Sequence, residues 1–246
     1  TTTQAVGITT AQASALESGD LNKLTTDTFA AITTAVVSKL NTTQVGALTT
    51  AQVQALNTAQ AAAMTTTQAV GITTAQASAL ESGDLNKLTT SAFATITTAV
   101  VAKLSATQIG ALNTAQVSAL NTAQAAAMTT TQAVGITTAQ ASALESGDLN
   151  KLTTSAFAAI DKDVVSGLSS TQFGALTTAQ VQALTTAQAA ALTSVQASGV
   201  APTQTAALES RDLARMTTAA FAGLKTTVVS GLDSVQFGAL TTAQIQ

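Results

Sequence analysis

The chain has 246 residues, of which 9% are charged and 2% aromatic, and its nine Lys+Arg against twelve Asp+Glu leave a net charge of −3. It contains no Cys, His, Trp or Tyr, which removes zinc fingers, iron–sulfur centres, disulfides, thiol or Ser-His-Asp catalysis and imidazole acid–base work. Without a basic balance there is no electrostatic footprint for nucleic acid, and Thr, Gln or Asn interrupts every apolar run well short of a membrane span.

Taken in order, the chain divides into octads. The first two, TTTQAVGI (1–8) and TTAQASAL (9–16), end on Ile8 and Leu16. The third, ESGDLNKL (17–24), gathers Glu17, Asp20 and Lys23. TTDTFAAI (25–32) brings Phe29, and TTAVVSKL (33–40) brings Val37 and Lys39. NTTQVGAL, TTAQVQAL and NTAQAAAM complete residues 41–64. The whole 64 then recurs as 65–128, as 129–192 and as a partial copy, 193–246, with no insertion. The first 26 residues are identical in the first three copies. The expected organisation is one continuous array over 1–246 with these four super-repeats. Because both ends fall inside the pattern and the first residue is not Met, the chain reads as a segment of a longer array.

Each octad carries helix signals in one register. All thirty residues numbered as multiples of eight are Leu, Ile, Met or Val. The next residue is Thr, Ser, Asn or Asp in 25 of 31 octads, the preferred N-cap types. Three residues on stands Gln in 19 octads and Asp in four, the second half of a capping box. A second apolar site follows, at N4, where it can staple back onto the preceding aliphatic; only Thr205 is polar among its 31 occurrences. The sole proline, Pro202, falls on N1. Eleven of the fourteen glycines precede the aliphatic by one or two residues, which predicts helix exits. The six Phe residues, from Phe29 to Phe237, all occupy N4 and are expected in the core.

These signals predict an all-α fold: a right- or left-handed α-solenoid of very short capped helices, with an eight-residue unit and a 64-residue super-repeat. The alternative is a β-solenoid, suggested by alternation at Ala51, Val53 and Ala55; Leu56 breaks that parity. A single long helix fails, since its apolar stripe would drift by about 80° per octad. So short a helix is unstable alone and survives only by stacking. Two octads per coil, with successive helices alternating sides and coils about 10 Å apart, predict a rod on the order of 150 Å and four coils per 64 residues.

Charge is concentrated in the third octad of each copy. Glu17 and Asp20, Glu81 and Asp84, and Glu145 and Asp148 offer oxygen ligands to Ca²⁺, the only candidate cofactor. The structural reading is that each Asp completes a capping box and meets Lys23, Lys87 or Lys151 three residues on. A carboxylate pair for acid–base catalysis lacks any pocket, so no catalytic residue and no enzyme activity are expected. Glu17, Asp20, Lys23 and Lys39, with Glu81, Asp84, Lys87 and Lys103, instead form a charge ladder of 64-residue period suited to fixing register between chains. The Thr pairs, such as Thr49-Thr50, raise an ice- or mineral-binding face, although capping already uses the first Thr.

The octad LTTAQVxA, running through the whole chain, resembles the low-complexity repeats of long bacterial secreted or surface adhesin-like proteins. The helix start LTxxQV is also similar to that of TAL-effector repeats, but the base-reading loop is missing. The first resemblance implies an extracellular or cell-surface protein, and the expected role is structural, as the protomer of a filament, sheath or fibre whose partner is itself. An adhesin stalk with binding domains elsewhere is the alternative.

Overall fold

Chemistry local to each octad sets the helices before any distant contact is considered. In the octad Thr49–Leu56 the N-cap Thr49 is extended (φ −68°, ψ 156°). Its hydroxyl accepts the Gln52 N–H at 3.1 Å, while the Gln52 side-chain carbonyl accepts the Thr49 N–H at 3.0 Å. This reciprocal box satisfies two of the N–H groups a helix start leaves over. Helix Thr50–Gln54 follows, then a tightened last turn in which Leu56 N–H reaches the Val53 carbonyl at 3.3 Å.

The computed structural model describes all residues, Thr1–Gln246, and repeats that unit throughout. Every α-helix begins on the second residue of an octad and runs for four to six residues. The chain is an α-solenoid; it contains no strand, so the β-solenoid alternative is not supported. No helix is long and apolar enough to cross a membrane. Pro202 takes N1 as expected, in a 3₁₀-helix, Pro202–Ala207. The identical octads 9–16, 73–80 and 137–144 differ, with α-helices at Thr10–Ala13 and Thr138–Ala141 but a 3₁₀ turn at Ala77–Ala79.

Two compact units, Thr1–Ala127 and Met128–Gln246, divide the chain, and both follow one packing rule. Helices three octads apart lie side by side: Thr42–Ala47 against Thr66–Val70 in the first unit, Ser170–Gly174 against Ser194–Gly199 in the second. Side-chain bonds between turns span 28 and 31 residues, so one turn takes between three and four octads. The two-octad coil with alternating helices is thereby corrected, and eight octads make between two and three turns rather than four. The cause lies at the junctions. Leu48 (ψ 138°) and Thr49 (ψ 156°) are consecutive extended residues that deflect the path. The deflection falls short of a reversal, so more than two octads are needed to close a turn.

The terminal aliphatic and the N4 residue of each octad fill the inside of the coil. Leu48, Val53 and Leu56 are buried, and Phe29, Phe93, Phe157 and Phe173 are wholly enclosed. Phe237 is the exception to the expected core: it is 51% exposed, because no later octad covers it. Phe221 is half-buried, under helix Thr242–Ile245. Gly7, Gly71, Gly167 and Gly223 stand at helix C-caps as expected, but no residue has positive φ, so none is a left-handed exit. Some glycines also permit close approach. A Cβ on Gly71 would stand 2.5 Å from the Thr42 carbonyl oxygen, and one on Gly174 would stand 2.6 Å from that of Gly199. Each clash is with the turn three octads away.

Candidate functional site

The seam between turns is the one place where this fold concentrates polar chemistry. The N3 glutamine of an octad caps its own helix with Oε1 and points Nε2 at the turn below. Gln52 donates to the carbonyls of Leu21 and Leu24, both at 2.9 Å. Gln76 donates to Val45 at 2.9 Å and Leu48 at 2.7 Å, and Gln108 to Ala77 at 2.8 Å and Leu80 at 2.6 Å. In the second unit Gln172 reaches Ala141 and Leu144, and Gln236 reaches Thr205 and Leu208. These glutamines are buried. Gln54, two residues after Gln52, is exposed. Each ladder amide therefore makes three or four bonds at once, and none of its polar atoms is left to solvent.

Three octads in every eight lack this glutamine. At Val36, Val100, Val164 and Val228 the position is filled by a buried apolar side chain, and Ala92, Ala156 and Ala220 do the same. At Asp84, Asp148 and Asp212 it is filled by a buried carboxylate. Asp20 holds the same place but is open, because no turn lies beneath it. The expected capping box of the aspartates does not form: helices Ser18–Leu21, Ser82–Lys87, Ser146–Leu149 and Ser210–Leu213 have no side-chain cap bond. The Asp side chain is one methylene shorter than Gln and donates nothing when ionised.

The expected Asp–Lys pair appears only where Asp20 is open, with Lys23 Nζ at 3.5 Å. Asp84 is 5% exposed and its Oδ2 has no partner; both carboxylate oxygens of Asp212 are likewise without a hydrogen bond. Burial pushes the Asp84 carboxyl up to about 6, with the Glu81 charge adding to the effect. Asp148 is raised by burial and then by Glu145. Asp212 is raised by burial, opposed by Arg211 and assisted by Glu209. In that fourth copy Arg211 replaces the glycine found at Gly19, Gly83 and Gly147, and its Nε lies 2.7 Å from Glu209 and 3.9 Å from Asp212.

Of the remaining sequence candidates, Glu17, Lys23, Lys39, Glu81, Lys87, Lys103 and Glu145 are exposed. Asp84 and Asp148 are covered by the coil, out of reach of a lateral neighbour. No cluster of three or more acidic side chains gathers at one point. The first Thr of most pairs is engaged in capping, as Thr49 and Thr177 show, although Thr97 makes no side-chain cap bond. The sequence reading missed the second half of the glutamine's work. Its signal, a recurring Gln at N3, was present but already accounted for by the cap.

The comparison with known families bears directly on this ladder. The ALTTAQ repeat matches at 13–50, 21–58, 37–74, 77–117, 101–138, 141–178 and 205–246. The chain belongs to the ALTTAQ repeat family. Each ALTTAQ window opens on an N4 residue. The window 13–50 opens on Ala13, whose carbonyl accepts Gln44, and 141–178 opens on Ala141, whose carbonyl accepts Gln172. The repeat as matched thus contains one full closure of the coil. No curated protein and no solved structure matches the chain.

Proposed function

We propose that this ALTTAQ chain is a structural protein of the cell exterior or surface, the repeating body of a filament, sheath or fibre built from copies of itself. The observation that carries the reading is a set of apolar side chains the fold leaves unused. Val6, Val70 and Val134 stand 64 residues apart and are 57%, 48% and 62% exposed. They recur in the same octad of successive copies, and Glu17 and Lys23, Glu81 and Lys87, and Glu145 and Lys151 are exposed at the same period. Recurrence of one exposed apolar residue in successive copies supplies the repeated contact that open-ended polymerisation uses. Exposed ion pairs contribute only about 0.2–1 kcal/mol each, so register comes from many weak contacts acting together. The scarcity of charge supports the same reading, since little repulsion keeps copies apart. The register role assigned to Asp84 passes to its exposed neighbours.

Combined Val6→Lys, Val70→Lys and Val134→Lys changes test the reading by sedimentation and electron microscopy. Wild type is expected to form fibres with an axial repeat commensurate with 64 residues, and the triple variant to stay monomeric with an unchanged melting temperature. A wild-type chain monomeric at millimolar concentration overturns it in favour of a passive stalk.

A further inference from the structure

Register places Asp84 above two carbonyls that have lost their usual partner. The ladder glutamines on either side, Gln76 and Gln108, bond to the residues 28 and 31 before them. For Asp84 those residues are Leu56 and Val53. The Val53 carbonyl retains only its long helix-end bond to Leu56 N–H, at 3.3 Å. The register of the neighbouring rungs thus assigns to the unpartnered Asp84 carboxylate the two backbone oxygens of Val53 and Leu56. A proton on Asp84 would satisfy one carbonyl, and a water could donate to two oxygens at most.

Two further observations indicate a cation. Gly83 has neither a conformational nor a steric cause: no φ is positive, and a Cβ there would meet nothing within 4 Å. Glycine within a helix costs about 0.5–1 kcal/mol relative to alanine, so its place beside the acids calls for a reason. The fourth copy supplies one. With Arg211 at that position, a guanidinium sits against Glu209 and approaches Asp212, so that the chain brings its own positive charge to the rung.

We propose that the Ser-Gly-Asp rungs bind a divalent, oxygen-seeking cation of the calcium class, held at Asp84 by the carboxylates of Asp84 and Glu81 and the carbonyls of Val53 and Leu56. Two carboxylates balance its charge, and calcium–oxygen distances of about 2.3–2.6 Å let one ion span the gap left by the missing amide. Water entering over Gly83 completes the shell. Arg211 replaces the ion in the fourth copy. The site stands independently of the assembly reading, since its occupant joins one turn of a chain to the next turn of the same chain.

The test uses the full chain with ¹³C-labelled aspartate at neutral pH, and the Asp84 carboxyl resonance is identified by its loss in Asp84→Gln. Calcium up to about 10 mM, above the weak end of extracellular sites, is expected to shift that resonance saturably. It should also raise the melting temperature by about 2–4 °C relative to chelator. Gly83→Arg should abolish the response of the Asp84 resonance while leaving the chain folded. A resonance that moves with pH but not with calcium, or an unaltered calcium response in Gly83→Arg, overturns the proposal.

Discussion

Gln76 and Asp84 occupy the same position in adjacent octads and are about equally buried, yet they leave their surroundings in opposite states. Gln76 joins its own N-cap to two carbonyls of the turn below. Asp84 makes no cap bond and buries an oxygen without a partner. The backbones differ, with a 3₁₀ turn at Ala77–Ala79 after Gln76 and an α-helix, Ser82–Lys87, around Asp84. The side chains also differ in sign: a donor with an acceptor against an acceptor alone. In a coil closed by side-chain amides, one such replacement turns a structural rung into a place that demands a positive partner.

Making that contrast larger gives the largest expected effect. Gln76→Asp would set two acidic rungs in succession and leave the Val45 and Leu48 carbonyls without their donor. A loss of about 3–5 kcal/mol is expected, the range for an uncompensated buried charge. Denaturant titration measures it, and a loss below 1 kcal/mol would mean the ladder contributes little. The reverse change, Asp84→Gln, should restore a rung and stabilise the chain in chelator by about 1–3 kcal/mol.

The pH dependence sharpens the same comparison. In chelator, Asp84 holds its proton up to about 6 when folded, against about 3.9 when unfolded. Between those values the folded chain binds more protons, so stability is greatest below about pH 4 and falls as pH rises through 6. Asp148 and Asp212 act in the same direction. The helices packed on Ser82–Lys87, namely Thr58–Ala62 and Ala106–Ala111, carry no ionisable side chain, which leaves Glu81 as the neighbouring charge. Thermal melts from pH 4 to 7 should show this decline, with a shallower slope for Asp84→Gln. Smaller still is Thr205→Val. It removes a buried hydroxyl that has no partner and should add about 1 kcal/mol, with Gln54→Asp on the exposed face as the near-zero reference.

The octad register was readable from sequence because its signals are local. Thr49, Gln52 and Val53 fix cap, box and staple within five residues, and the helix starts where they say. The number of octads per turn was not readable, because it depends on small deflections at Leu48 and Thr49 that residue types do not encode. Glycine was readable only in part for a related reason. Gly71 closes its helix as its position predicts, but Gly71 and Gly174 also answer to a carbonyl three octads away, which position within the octad does not reveal. At the acidic rungs the residues were found but not their state. Asp20 and Asp84 share one sequence context, and only the turn beneath Asp84 separates an open ion pair from a buried, unpartnered carboxylate.

The spacing of the ladder also governs how such a chain yields to force. Because the rungs tie residues to others only 28 to 31 positions earlier, no bond spans more than the adjoining turn. A chain held by its two ends has no distant tie that must break first. It gives way from an end, one turn after another, and each turn releases 28 residues of slack, about 100 Å when extended. The remaining turns keep their rungs. Tension is thereby met by lengthening in even steps, and the array behaves as a shock absorber whose capacity grows with every octad added.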